Sequence, residues 1–300
     1  MKSFKIAAVQ CNSVVGDKAS NLTKMISWTR KAKKAGAKLV LFPELNITGH
    51  AGSPAMVSEA EIVPQGRSVK RLEKLAKELD IYICAGIAED DLGIHYNCQF
   101  IVGRAGYLGK QRKVHLSADE SFYFRGGTAT PVYELALGRI AMIICADNLY
   151  PEMARCFAVK GAEVLLCPHA ARCSDKDDGT FTAIPDDVKI QRKFVHDNKE
   201  QWKLIHRCRA YANGCYVVLC NTVGKAAVHL EGVNADHAGG CTIIDPYGEV
   251  IAESKTKDIE EEMIVTKLDA EAVAKIRHSA CFNLQNRRPE VFKILSEPTF

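Results

Sequence analysis

No apolar run in this 300-residue chain approaches the length of a membrane-spanning helix. The opening stretch, MKSFKIAAVQCNSVVGD, has too short an apolar core to act as a secretory signal. None of the 12 cysteines forms a CxxC pair, so the usual zinc and thioredoxin spacings are excluded. An excess of one charge is also missing: 40 Lys and Arg face 36 Asp and Glu, a formal +4. The basic residues are scattered, apart from short clusters such as Arg30-Lys31 with Lys33-Lys34, which argues against a nucleic-acid partner. No Pro/Gly/Ser-rich linker, break in composition or internal repeat divides the chain, so one domain over residues 1–300 is expected.

What is present fits a globular protein with ample core, at 47 % apolar and 25 % charged residues. Cys84, Cys98, Cys167, Cys215 and Cys220 lie in apolar, strand-like runs, where a reduced thiol behaves as a small hydrophobe. With no export signal, a reduced, cytoplasmic setting is expected.

FKIAAVQC reads as a strand, and Leu22, Met25, Ile26 and Ala32 recur at helical spacing between about Asn21 and Lys34, with Gly36 as the stop. Ala37–Phe42 reads as a buried strand, Ser68–Leu79 as a helix and Ile81–Ile87 as a further strand. YNCQFIVG and YLGKQRK form a hairpin about Gly103–Gly106. Arg139–Cys145 reads as a strand, Pro151–Lys160 as a helix opened by its proline, and Ala162–Cys167 as a strand. Glu200–Asn213 follows as helix, Cys215–Asn221 as strand, CTIIDPYGEVIAES as a hairpin and Met263–Leu268 as a late strand, before a short helix and an Arg-rich tail. Strands and helices interleave throughout with hairpins among them, which argues for an α/β protein with a mixed sheet, or two sheets. Ala171–Asn198, dense in Asp, Lys and Gly, reads as a long connection, either plain surface or a lid at a pocket mouth.

Three reactive side chains stand at the ends of apolar runs: Glu44 in KLVLFPELNITGH, Lys113 in GKQRKVHL and Cys145 in GRIAMIICADNLYPEMAR. A carboxylate, an ammonium and a thiol suit acyl transfer through a thioester. The carboxylate can take the thiol proton, and the cation favours both the thiolate and the oxyanion that follows. Each alone has a bland reading, namely a solvated carboxylate, a surface charge and a core cysteine. Lys110 and Arg112 also compete with Lys113 for the role of the cation.

The combination resembles the carbon–nitrogen hydrolase (nitrilase) superfamily, whose catalytic Glu, Lys and Cys come in that order from similar segments. The resemblance covers nearly the whole chain, from FKIAAVQ and LVLFPEL through NCQFIVG, GKQRKVHL and IICADNLYPEMAR to RAYANGCYVVLCNTVG, HAGGCTIIDPYGEVIAE and RRPEVF. It implies an α/β fold, a four-layer α-β-β-α sandwich with two mixed β-sheets. Carried over residue by residue, it makes Glu44 the general base, Cys145 the nucleophile and Lys113 the cation beside the oxyanion. Glu120 in SADESFYF matches a second family glutamate that touches the lysine and the substrate, with Asp119 as its immediate rival.

The mechanism so implied needs no metal or organic cofactor. A homodimer or larger homo-oligomer is expected, with residues 281–300 as a packing or interface tail. The family's nitrile hydrolysers typically carry Trp-Glu after the cysteine, where this chain has Ala146-Asp147. Carbamoyl-D-amino-acid hydrolases often carry an arginine pair where it has Asn148-Leu149. The expected substrate is therefore a small amide or N-carbamoyl compound. Nitrile hydrolysis, acyl transfer, a Cys–His mechanism and a non-catalytic binding module are the alternatives. Substrate-facing candidates are Ala146 through its backbone N–H, Asn148, His169 at a strand end, and Arg172 as a partner for a substrate carboxylate. His115 shares a face with Lys113 in an extended chain and is read as a supporting hydrogen-bond partner.

Overall fold

The structure is a computed structural model that describes residues 1–117, 119–173, 187–225, 236–280, 282 and 284–297. Strand β1 (Phe4–Gln10) shows how the layers arise. Ala7 and Val9 point into one apolar cluster and Phe4, Ile6 and Ala8 into another, so both faces of this strand are buried. Helix α1 (Lys18–Lys34) is opened by Asp17, whose carboxylate accepts from the Ser20 N–H at 3.0 Å. β2 (Leu39–Leu41), α2 (Arg67–Leu79) and β3 (Tyr82–Asp91) follow, and β1, β2 and β3 are parallel neighbours. β4 (Ile94–Gly103) and β5 (Gly106–Arg112) form the hairpin expected about Gly103–Gly106.

The second half repeats the scheme. β6 (Tyr133–Leu135) pairs with β7 (Gly138–Met142), α3 (Pro151–Val159) leads to β8 (Val164–His169), and α4 (Val188–Asn213) leads to β9 (Tyr216–Asn221). β7, β8 and β9 are again parallel. The short pair β10 (Val223–Lys225) and β11 (Asp236–Ala238) precedes the hairpin of β12 (Cys241–Ile244) and β13 (Val250–Glu253). β14 (Glu262–Leu268) then returns to pair antiparallel with β1, and α5 (Ala270–Arg277) follows.

Two six-stranded mixed sheets result, in the orders β14-β1-β2-β3-β4-β5 and β13-β12-β9-β8-β7-β6. They face each other across a core in which Ile6, Leu39, Leu41 and Ile101 meet Ile140, Leu166, Val218 and Ile243. Cys84 Sγ approaches Met142 Sδ to 3.6 Å across that interface. The alternate side chains of the first sheet pack under α1 and α2, and those of the second under α3 and α4. This is the four-layer sandwich that the resemblance implies. No helix among the described residues is long and apolar enough to cross a membrane.

Two expectations need correction. β7 ends at Met142, and Cys145 opens a short 3-10 turn in place of closing a strand. Helix α4 begins at Val188, three turns earlier than Glu200, so residues 188–198 are helix and not connection. Its buried stripe contains Asn198 and His206, and its exposed face is laced with ion pairs such as Arg192–Asp258 at 2.9 Å, so the apolar period is diluted. Residues 174–186 of that expected lid lie outside the described residues. Among the described residues of the tail, Leu284 packs on the outer core, whereas Val291, Phe292, Ile294 and Leu295 are 56–65 % exposed.

One close approach positions the segment after β2. Gly86 of β3 donates its N–H to Asn46 Oδ1 at 2.8 Å and accepts from the Ile47 N–H at 2.9 Å. A Cβ at Gly86 would lie 2.3 Å from Leu45 N and 3.0 Å from the Glu44 carbonyl carbon, both backbone atoms that cannot swing aside. Gly86→Ala is expected to cost roughly 1–3 kcal/mol through overpacking. A urea unfolding curve with a lower midpoint and an unchanged slope would register this, and an unmoved midpoint would show that the segment yields freely.

Candidate active site

Glu44 follows β2 at its C-terminal end and is buried. Its Oε1 accepts from Lys113 Nζ at 2.8 Å and from Asn97 Nδ2 at 2.7 Å, while its Oε2 accepts from the Ala170 N–H at 2.7 Å. Lys113, one residue beyond β5, reaches a second carboxylate as well, with Nζ 2.5 Å from Glu120 Oε2. Glu120 is held in turn by the Ser117 N–H at 3.0 Å, the Ser117 hydroxyl at 2.9 Å and Asn97 Nδ2 at 2.8 Å. The Asn97 amide nitrogen, projecting from β4, thus bridges the two glutamates.

Burial alone would favour discharge of Lys113. The Glu120 and Glu44 carboxylates outweigh it and hold the ammonium well above its ordinary pKa. Burial likewise opposes ionisation of Glu120, but Lys113 and then His50 hold its carboxyl well below the usual range. Two of the three Lys113 hydrogens go to carboxylates, which leaves the third for the cavity that Lys113 helps to line.

Cys145 sits on the first residue of its 3-10 turn with φ of 44°, a left-handed conformation that costs a non-glycine residue energy and commonly marks a functional turn. The structure over-determines the turn. Asn148 Nδ2 donates to the carbonyls of Ile143 and Cys145, both at 3.1 Å. Asp147 accepts from the backbone N–H groups of Val114 at 3.2 Å and His115 at 2.7 Å and pairs with His115 Nδ1 at 2.8 Å. The turn that bears the sulfur is thereby tied to the two residues following Lys113. His115 also stacks on Tyr150 with ring centroids 3.7 Å apart.

The Ala170 N–H that holds Glu44 Oε2 follows β8, on the side of the cluster where the cavity opens. Desolvation of the sulfur and then the charge of Glu44 push the thiol well above its ordinary value, against the pull of Lys113. The resting sulfur is therefore a thiol beside an ionic cluster, and its ionisation requires a base. Cys145 and Lys113 open onto a cavity of about 220 Å3 whose wall includes Ala146, Leu149, Arg172, Trp202 and Ile205.

The carbon–nitrogen hydrolase family model matches residues 5–278. The chain belongs to the carbon–nitrogen hydrolase family. It is 30 % identical over 302 residues to the N-carbamoylputrescine amidase of Solanum lycopersicum, covering 97 % of this chain and 94 % of the relative. It is also 30 % identical over 274 residues to a protein of Pyrococcus abyssi named Nitrilase, covering 88 % of this chain and 89 % of that one. Saccharomyces cerevisiae Nit3, a solved member of branch 10 of the nitrilase superfamily, is similar with a TM-score of 0.78 at 27 % identity, over 96 % of this chain and 97 % of that one.

In this carbon–nitrogen hydrolase the structure gathers Glu44, Lys113, Glu120 and Cys145 into one cluster, with Ala146 and Arg172 on the cavity wall. The rivals of Lys113, Lys110 and Arg112, pair instead with Glu89 outside the cluster. Asp119, the rival of Glu120, forms an ion pair with Arg172, so the guanidinium already has a carboxylate partner. Asn148 and His169 do not line the cavity. Asn148 supports the turn from beneath, and His169 is buried with Nε2 3.3 Å from His206 Nε2 and its ring against Trp202. Burial and then the neighbouring His206 hold the His169 imidazole well below its ordinary pKa, which keeps it neutral. A strand-end position proved insufficient there because α4 covers that end of β8.

Asn97, His50, Asn198 and Trp202 were not anticipated. Asn97 carried a usable signal, since in NCQFIVG it shares a strand face with Gln99, two amides on a strand whose every residue from Asn97 to Gly103 is buried. Glu120 generates a testable pH dependence. Its folded pKa is depressed, so the unfolded chain takes up a proton near ~4.3 that the folded chain refuses. Stability is therefore expected to fall as pH drops from about 5 toward the folded value, and Glu120→Gln should flatten that acid limb while lowering stability at neutral pH. Urea unfolding between pH ~3 and ~7 measures both, and equal acid slopes in the two proteins would contradict the assignment.

Proposed function

We propose that this protein hydrolyses the C–N bond of a small amide or N-carbamoyl compound through a thioester on Cys145. The Glu44–Lys113–Glu120 ion cluster beside the Cys145 thiol carries this reading, because it sets an un-ionised thiol next to a carboxylate able to deprotonate it and a cation able to meet the oxyanion. As the sulfur attacks the carbonyl carbon, its proton passes to Glu44. The oxygen gains negative charge and meets the third Lys113 hydrogen, with the Ala146 N–H as a second donor. Glu44 returns the proton to the leaving nitrogen, the C–N bond breaks, and an amine or ammonia departs. A water deprotonated by Glu44 then attacks the thioester, releasing the acid and restoring the thiol. Glu120 touches Lys113 and keeps it charged and aimed. None of these steps requires a metal or an organic cofactor.

The N-carbamoylputrescine amidase relative supports the amide and carbamoyl class, and Ala146-Asp147 after the nucleophile speaks against a nitrile. A volume of about 220 Å3 suits a compact substrate, below the ~300–1,000 Å3 typical of drug-sized ligands.

Cys145→Ala is expected to abolish ammonia or amine release across an amide and ureido panel, and turnover that persists would remove Cys145 as nucleophile. Lys113→Met should lower kcat by roughly 100- to 1,000-fold, the usual range for loss of an oxyanion donor. Wild-type enzyme quenched during turnover should show an acyl adduct on the Cys145 peptide by mass spectrometry. A Cys–His mechanism would instead leave Glu44→Gln near wild-type rate and cripple His115→Ala.

The exposed apolar residues of the tail support assembly into a homodimer or larger homo-oligomer, with residues 281–300 as the interface tail. Truncation after Leu284 should shift the protein toward monomer by light scattering, and an unchanged mass would reject that role.

A further inference from the structure

A second hollow, of about 680 Å3, lies at the end of the sandwich away from Cys145, where β1, β2 and β3 begin. Lys38 and Glu44 flank β2 on its two sides, about 20 Å apart in extended chain, so no small ligand reaches both places. The Lys2 N–H donates to the Leu137 carbonyl at 2.9 Å, which joins the start of the first sheet to the β6–β7 turn of the second. The floor of the hollow is apolar. Phe4 and Ile81 are buried there, and Tyr82 and Leu137 pack against the cluster that contains Phe4.

The rim is basic. Lys2 and Lys5 come from the start of the chain, Lys38 from the residue before β2, and Arg104 from the β4–β5 turn. Among the described residues that line the hollow, Asp80 alone carries a carboxylate. It stands 4.0 Å from Lys38 Nζ and 3.9 Å from Arg104 Nη1, beyond hydrogen-bond reach, so both cations keep their donors. The Lys2 and Lys5 side chains make no ion pair or hydrogen bond among the described residues.

Strand register brings up a further cation. Lys5 stands directly opposite Lys267 of β14, and like charges in that position destabilise a sheet. The carboxylate of Asp269, next along the chain, is already engaged. It accepts from the Glu271 N–H at 3.1 Å as the cap of α5, and from the Ser3 hydroxyl at 3.0 Å. One unpaired surface lysine is ordinary. Cations converging from separate segments on an apolar hollow, with their donors unspent, match an anion joined to an apolar body. An inorganic ion would leave the floor uncovered, and a neutral ligand would leave the rim unanswered. Lysine ammonium groups act as point charges well suited to phosphate oxygens. The volume falls within the ~300–1,000 Å3 of small-molecule sites.

We propose that this hollow binds an organic phosphate of the nucleotide class. Its phosphates lie among Lys2, Lys5, Lys38 and Arg104, and its ring system rests on Phe4, Tyr82 and Leu137. The site is independent of the reaction at Cys145 and stands or falls without it.

Calorimetry on the full chain in magnesium-free buffer tests this with three probes: adenosine diphosphate, inorganic pyrophosphate and adenosine. The diphosphate should bind at least about tenfold more tightly than pyrophosphate, and adenosine should not bind measurably. Raising the salt from about 0.05 to about 0.3 M should weaken the diphosphate. Lys5→Gln combined with Lys38→Gln should weaken it by about tenfold or more. Arg30→Gln combined with Lys34→Gln alters a separate basic groove beside α1 and should leave its affinity unchanged. Tyr82→Leu should bring the diphosphate closer to pyrophosphate without moving pyrophosphate itself. Unchanged urea midpoints establish that the variants fold. No binding at millimolar concentration, equal affinity for diphosphate and pyrophosphate, or a loss confined to the Arg30 and Lys34 pair overturns the proposal.

Discussion

Everything at this site depends on one buried ammonium held between two carboxylates. Lys113 lies at 2.8 Å from Glu44 and 2.5 Å from Glu120, with all three side chains almost wholly buried. Desolvating three charges is expensive, and a triad of this kind persists only when its remaining hydrogen-bonding positions are filled. Here Asn97, Ser117 and the Ala170 N–H fill them. The same arrangement holds Lys113 as a cation and Glu120 as the anion behind it. The thiol stays protonated until a substrate is attacked. Under the proposed hydrolysis, proton transfer from that thiol then belongs to the acylation step.

The two halves of the fold explain how residues so far apart in the chain arrive together. Each half contributes three parallel strands, and Glu44, Cys145 and Ala170 all follow the C-terminal ends of such strands, in the crevice where α/β sheets gather ligands. Lys113 comes from the antiparallel edge of the first sheet, directed inward by the hairpin of β4 and β5. The cavity therefore spans both sheets, and α4 closes its outer side.

Much of this was readable from residues alone. The alternation of apolar runs and helical stripes gave the element order, and the three motifs named side chains that the structure brings into one cluster. Less readable were features that depend on what lies across the sheet. Asn97 is an ordinary strand amide until the hairpin sets it between Glu44 and Glu120. His169 looks like a ligand at a strand end, yet the helix passing over it supplies His206 and Trp202 and shuts it from the cavity. The first three turns of α4 hid among charged residues because its buried stripe includes Asn198 and His206, polar residues that apolar periodicity passes over.

Asp147 couples the two sheets mechanically. It belongs to the turn after β7, yet it grips the backbone directly beyond β5 through Val114 and His115. Sliding of one sheet against the other would therefore drag sulfur and ammonium as a pair, without changing the gap between them. This rivet thus ties the turn that bears the sulfur to the segment that bears the ammonium.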